Sequence, residues 1–190
     1  FPRNGLEFVF RHFNLRDPFA APAPWYVLIE LSGSGELDEL LTQTLANGAE
    51  RDIVLDATIA QSEQQRNDLW YLRKAIVEVQ KLEGGSIKHD VSVPVSHIPR
   101  FIPEGIKALT DYMPGARPMP FGHVGDGNIH FNVSQPVGMD KQDFLAHWHE
   151  MNMVLYDIVL KHGGSISAEH GIGRLKRDMM AKIKSPVELA

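Results

Sequence analysis

Two histidines, His123 and His130, bracket Gly125-Asp126-Gly127-Asn128 within PFGHVGDGNIHFNV, residues 120–133. Asp-Gly is a strong signal for a two-residue hairpin turn. With Asp126 and Gly127 as that turn, Gly125 faces Asn128, Val124 faces Ile129 and His123 faces His130. Directly opposed residues have Cβ atoms about 4.5–5.5 Å apart on one face of a sheet, so two imidazoles there can share a metal ion. Asn132, two residues beyond His130, projects from the same face. A hairpin with two surface histidines would read the same way, and it is the commoner case for any single pair.

A second group lies in SAEHGIGR, residues 167–174. Glu169 and His170 are adjacent, and Gly171 and Gly173 beside them let the backbone approach a neighbour closely. Two histidines and a carboxylate form a ligand set for a divalent metal with open coordination positions. Zinc is the expected occupant, with manganese or iron as alternatives. Taken alone, Glu169-His170 also fits a polar turn before a helix, with the glutamate favoured by the helix dipole. The chain has no cysteine, which excludes disulfides, thiolate zinc sites, iron–sulfur clusters and cysteine nucleophiles.

The elements that must position these groups follow from periodicity. WYVLIEL (25–31) and DIVLDATIA (52–60) read as strands, separated by a helix in which Leu37, Leu40, Leu41 and Leu45 share a face. Ser62 with Gln65 forms a capping box before a long helix that ends near Gln80. SIKHDVSVPV (86–95) alternates as a strand, IPRFIPEGIKALTDYM reads as another helix, clearest after Pro103, and the histidine-bearing strand pair follows. A helix over about 140–162 carries Phe144, Trp148, Met151, Leu155 and Ile158 on one face, with His147 and His149 toward solvent. SISAEHGIG is a short strand or turn, and RLKRDMMAKI opens a last helix. This order predicts one α+β domain, a mostly antiparallel sheet with helices packed on one face in the ferredoxin-like manner.

At 190 residues the chain suits one sizeable domain or two very small ones. Nineteen basic against 24 acidic residues give a net charge of −5, which argues against nucleic acid or an anionic membrane as the main partner. No apolar run approaches the roughly 20 residues of a membrane span. A cytoplasmic location is expected, with peripheral membrane attachment open. The chain starts FPRNG without a Met and stops at SPVELA in what reads as a helix opening, so a piece of a longer protein is expected. Neither SGSG nor the Gly171-x-Gly173 stretch completes the G-x-G-x-x-G dinucleotide fingerprint.

GHVGDGNIHFNV and SAEHGIGRLK, taken together, resemble the C-terminal, substrate-capping domain of FAD-linked 2-hydroxy-acid dehydrogenases, the family of D-lactate dehydrogenase, glycolate oxidase and D-2-hydroxyglutarate dehydrogenase. DLWYLRKAI and GGSIKHDVSVPVSHIP (68–99) look like the family's arginine-bearing helix and its K-x-D-x-S-x-P strand. The three motifs run in family order, and the resemblance spans nearly the whole chain. It implies that His123, His130 and Glu169 hold a metal, and that His170 acts as base on the substrate hydroxyl. It also implies that Arg73 and Lys88 bind substrate carboxylate and that Asn132 contacts substrate. FAD would bind mainly to an N-terminal domain outside this chain, so the fragment alone is not expected to turn over. The implied reaction takes a small 2-hydroxy acid to a 2-oxo acid by hydride transfer to FAD, with the electron acceptor and any homo-oligomer left open. Val77 stands where hydroxyglutarate-specific relatives carry a threonine, which sets hydroxyglutarate itself in doubt. A metal-dependent hydrolase using the same two histidines and glutamate, or a non-catalytic ligand-binding module, are the competing readings.

Overall fold

The computed structural model describes residues 1–174 and 176–185, with the side chains of residues 181 and 182 left undescribed. Leu175, within the predicted last helix, and residues 186–190, most of the predicted helix opening at SPVELA, lie outside the described residues. The chain forms two compact units, Phe1–Leu82 and Glu83–Ala190, where the sequence reads as one domain.

The first unit is helical. Helix α1 (Arg3–His12) packs on α3 (Glu63–Val79), and α2 (Leu37–Glu50) lies between them in sequence. Gly5, Leu6, Phe8 and Val9 of α1 and Leu72, Ala75, Ile76 and Val79 of α3 are buried, each set being linked by three- and four-residue spacings. The Ser62 side chain accepts from the Gln65 N–H, as the capping box requires, and Gln65 reaches back to the Gln61 N–H at 2.6 Å. Helix α1 went unread in the sequence, having Pro2 rather than a hydroxyl or Asp/Asn side chain at its N-cap. Helix α2 continues past Asn47-Gly48 to Glu50 and buries none of its residues. The predicted strands at 25–31 and 52–60 do not form. Apart from a single bridge between Pro2 and Trp25, neither segment has a ladder partner, and Val27 and Leu55 are exposed. Aromatic and β-branched residues favour a strand only where a neighbouring strand receives them.

The second unit is an α+β layer structure with helices on one face of an antiparallel sheet, as expected. Strand β4 (Asn128–Ser134) is central. It pairs on one side with β3 (Arg117–His123) and on the other with β1 (Ser86–Ile87) and β2 (Asp90–Ser92). The predicted single strand at 86–95 is thus interrupted at Lys88-His89, although the Phe131 N–H still donates to the His89 carbonyl at 2.9 Å. The period of two divides β4 cleanly. Ile129, Phe131 and Val133 join Ile87 and Val91 in the core with Phe101 and Leu109 of α4 (Ile98–Tyr112) and Met151, Leu155 and Val159 of the helix at 148–161. Asn128, His130, Asn132 and Ser134 point to the opposite face. Gly105 of α4 lets that helix press on the sheet, since a Cβ there would stand 2.8 Å from the Phe131 ring.

The predicted helix over 140–162 is two helices, α5 (Lys141–Ala146) and α6 (Trp148–Lys161), broken at His147. Asp140 caps α5 by accepting from the Gln142 and Asp143 N–H groups. His147 is half-buried and its Nδ1 lies 2.9 Å from the Tyr112 hydroxyl, so of the two histidines expected to face solvent only His149 is fully exposed. Helix α7 (Arg177–Ile183) closes the described chain.

Candidate active site

The strand pair carries its histidines in a different register from the one predicted. His123 pairs with Asn128, Phe121 with His130 and Met119 with Asn132, so the turn spans four residues, 124–127. The Asp126 side chain sets this longer turn by accepting from the Asn128 N–H at 3.0 Å. Gly127 then has φ +77°, and a Cβ on it would come within 2.0 Å of the Val93 carbonyl oxygen. His123 and His130 remain on one face but stand diagonal, at the roughly 7–8 Å spacing of such neighbours. His123 is exposed, and His130 is half-buried against the Phe121 ring.

Directly opposite His130 on the other side of β4 is Asp90. Four potential ligand atoms, one each from Asp90, His130, Glu169 and His170, all lie within 4.8 Å of one another. His130 Nε2 is 3.5 Å from a Glu169 carboxylate oxygen, and its Nδ1 is 3.8 Å from Asp90 Oδ1. The His130 and His170 rings lie 6.2 Å apart. Glu169 and His170 are exposed, whereas Asp90 is only 8% exposed. His123 is outside this group.

Asp90 is the residue that sequence reasoning passed over. Its K-x-D spacing admits an outward ion pair with Lys88, but the side chain turns inward. Oδ2 accepts from the backbone N–H groups of Ala168, Glu169 and His170 at 3.1, 3.0 and 2.9 Å. Burial works to raise the pKa of this carboxyl, yet the three backbone donors and the nearby His170 outweigh it and hold the pKa below the ordinary aspartate value. Lys176, not singled out by the sequence, donates from Nζ to the Ile166 carbonyl at 2.6 Å. The loop therefore has two anchors, and its entry is bridged to β2 through reciprocal Ser92–Ser165 backbone hydrogen bonds of 3.0 and 2.8 Å. Gly171 and Gly173 have φ +71° and +56° with open space around the missing Cβ atoms, so they serve the path of the chain.

The remaining predicted residues are distributed over both units. Asn132 is 5% exposed on the face of β4 that carries His130, and Lys88 is exposed at the interruption between β1 and β2. Arg73 is half-buried on α3 of the first unit, with Val77 one turn later and 43% exposed.

The donor set suits a divalent cation. It combines two imidazoles with two carboxylates, and Asp90 Oδ1 is buried without a hydrogen-bond partner while facing His130. Comparison with known proteins places the chain in a family. The family described as "FAD linked oxidases, C-terminal domain" matches residues 3–190, and the chain belongs to it. The chain is 38% identical over 173 residues to a D-2-hydroxyglutarate dehydrogenase of Stutzerimonas stutzeri, covering 90% of this chain and 37% of that protein. It is 36% identical over 191 residues to the enzyme of the same name from Xanthomonas citri pv. viticola, covering 100% of this chain and 40% of the relative. A mitochondrial D-2-hydroxyglutarate dehydrogenase of Arabidopsis thaliana is 35% identical over 190 residues, covering 98% of this chain and 33% of its own length. The chain thus spans between a third and two-fifths of the length of these relatives. Among the described residues no helix is long and apolar enough to cross a membrane.

Proposed function

We propose that this chain is the substrate and metal half-site of a flavin-dependent dehydrogenase that oxidises a small 2-hydroxy acid to the 2-oxo acid. The observation that carries the reading is the convergence of His130, Glu169 and His170 beside Asp90. Family membership and the names of the relatives support the flavin and the class of substrate.

His130 and Glu169 hold the divalent metal, with zinc the expected ion. His123, on β3, joins them from its diagonal position on the same face of the sheet. A bound divalent ion would act as a Lewis acid toward the substrate hydroxyl, and a flavin held mainly by a domain outside this chain would take the hydride. The chain's own residues do the rest. His170 accepts the proton of the 2-hydroxyl, a task suited to an imidazole near neutral pH. The Arg73 guanidinium and the Lys88 ammonium bind substrate carboxylate, and Asn132 fixes orientation through hydrogen bonds. The proposed location is cytoplasmic or membrane-peripheral. The fragment alone is not expected to turn over.

The test uses the full-length protein under anaerobic conditions. Flavin absorbance is followed on adding D-lactate, L-lactate, glycolate, D-malate and D-2-hydroxyglutarate in turn. Bleaching by one enantiomer of one acid is the expected result. The panel includes acids without a second carboxylate because Val77 offers no hydroxyl one turn after Arg73. A protein with no flavin, or with flavin that no 2-hydroxy acid reduces, would return the site to a metal-dependent hydrolase or a ligand-binding module.

A further inference from the structure

The three converging side chains come from unlike supports. His130 stands inside a sheet, paired on both sides of β4. Glu169 and His170 project from an irregular segment, and both are exposed. An exposed, irregular segment holds two side chains against a third only if its backbone is held.

We propose that Asp90 is the positioning residue of this site: its one carboxylate sets the path of the 168–170 backbone and so places Glu169 and His170 against His130. The proposal rests on the functional reading above for the roles of those three side chains. The ladder between β2 and the loop ends at Ser92–Ser165, three residues short of the site. Beyond it, three consecutive backbone N–H groups converge on Asp90 Oδ2, forming an anion-binding nest that is filled from within the chain. The other oxygen, Oδ1, faces His130 Nδ1 at 3.8 Å and is buried with no hydrogen-bond partner. One carboxylate thus ties the loop to β2, the strand paired with the one that bears the fixed histidine. Because β2 and β4 pair Asp90 with His130, the anchor and the histidine keep a common register. Burial of an ionised carboxylate is tolerated here because several charge-assisted hydrogen bonds replace its hydration.

The experiment uses the full-length protein after chelation, comparing wild type, Asp90→Ala and Asp90→Asn. Amide hydrogen exchange is read for residues 168–170 and for the β4 amides 129–133. Asp90→Ala should accelerate exchange at 168–170 at least tenfold and leave β4 unchanged. Asp90→Asn, which keeps one acceptor oxygen, should fall between. Unchanged exchange at 168–170 with β4 still protected overturns the proposal. Should Asp90→Ala lose β4 protection, Asp90→Asn decides by the same two outcomes.

A Mn²⁺ titration followed by electron paramagnetic resonance then separates positioning from general stabilisation. Asp90→Ala should weaken Mn²⁺ binding at least tenfold, the usual range for supporting residues of a metal site. Combined with Glu169→Gln, the loss should stay within twofold of the larger single effect, since both changes remove the same loop-borne ligand. Losses that multiply would show that Asp90 acts by itself and would overturn the positioning role. Wild-type protein that takes up no Mn²⁺ would count against the metal reading, and the exchange data would still decide the backbone role of Asp90.

Discussion

His89 and Asp90 are neighbours in sequence and occupy opposite faces of the sheet, and each is read through its surroundings. His89 is fully enclosed, with Nδ1 2.6 Å from the Phe131 carbonyl. A carbonyl only accepts, so Nδ1 carries the proton and Nε2 is bare, buried without a partner. Burial, together with the charge of Lys176 and against the Phe131 hydrogen bond, lowers the His89 pKa to about 4. Between pH 6.5 and about 4 the unfolded chain binds a proton here that the folded chain refuses, so stability present above pH 6.5 is lost as pH falls through this window. The loss should approach about 3 kcal/mol near pH 4. Urea unfolding at pH 7.5 and 4.5 should show this dependence in wild type and a flatter one in His89→Gln; equal slopes would refute the assignment. At the site, His130→Ala should lower zinc content at least tenfold in the full-length protein, and equal content in variant and wild type would sink the ligand role. His123→Ala should lower zinc content too, and unchanged content would remove the diagonal histidine from the proposed ligand set. His130, Glu169 and His170 were legible in the sequence as potential donors because their types are chemically unusual together. Asp90 was not singled out, because its meaning depends on a strand register that single-sequence reading does not supply.

Among the elements, the hairpin shows how one local interaction redirects a sound reading. Asp126-Gly127 signalled a turn, and a turn is there, but the Asp126 side chain bonds the Asn128 N–H and lengthens it to four residues. Gly127→Ala should destabilise the second unit by about 1–3 kcal/mol through backbone strain alone, with the Val93 contact adding to it. A thermal melt of the variant indistinguishable from wild type would contradict the positive-φ assignment. The helices at 63–79 and 98–112 were legible because caps, prolines and apolar spacing agree. In α4 the structured turns begin at Ile98, before the interior Pro103, which lacks the N–H that would bond the Pro99 carbonyl. The strands expected at 25–31 and 52–60 failed for the opposite reason: residue preference was present and pairing was not.

Over the whole molecule, order is unevenly distributed. The second unit buries a continuous core from Ile87 to Met179, whereas α2 buries nothing. Hydrogen exchange should therefore be slowest at Ile129, Phe131 and Val133 and fastest among the helical amides at 37–50. Comparable protection in the two regions would contradict this ranking. The α+β class and the helices on one face were legible from element order, because periodicity reports which side of each element is apolar. Division into two units was not, since it depends on which contacts the chain makes at long range. The alternation along β4 has one last consequence, for how the protein can change over generations. Its odd-numbered positions from 129 to 133 answer to folding, and its even-numbered face carries His130 and Asn132 of the proposed site. Substitutions at 130 and 132 would change the proposed site while the core stays intact, but the insertion or deletion of one residue would exchange the two faces at a stroke. The strand is therefore far more open to replacement than to a change in length.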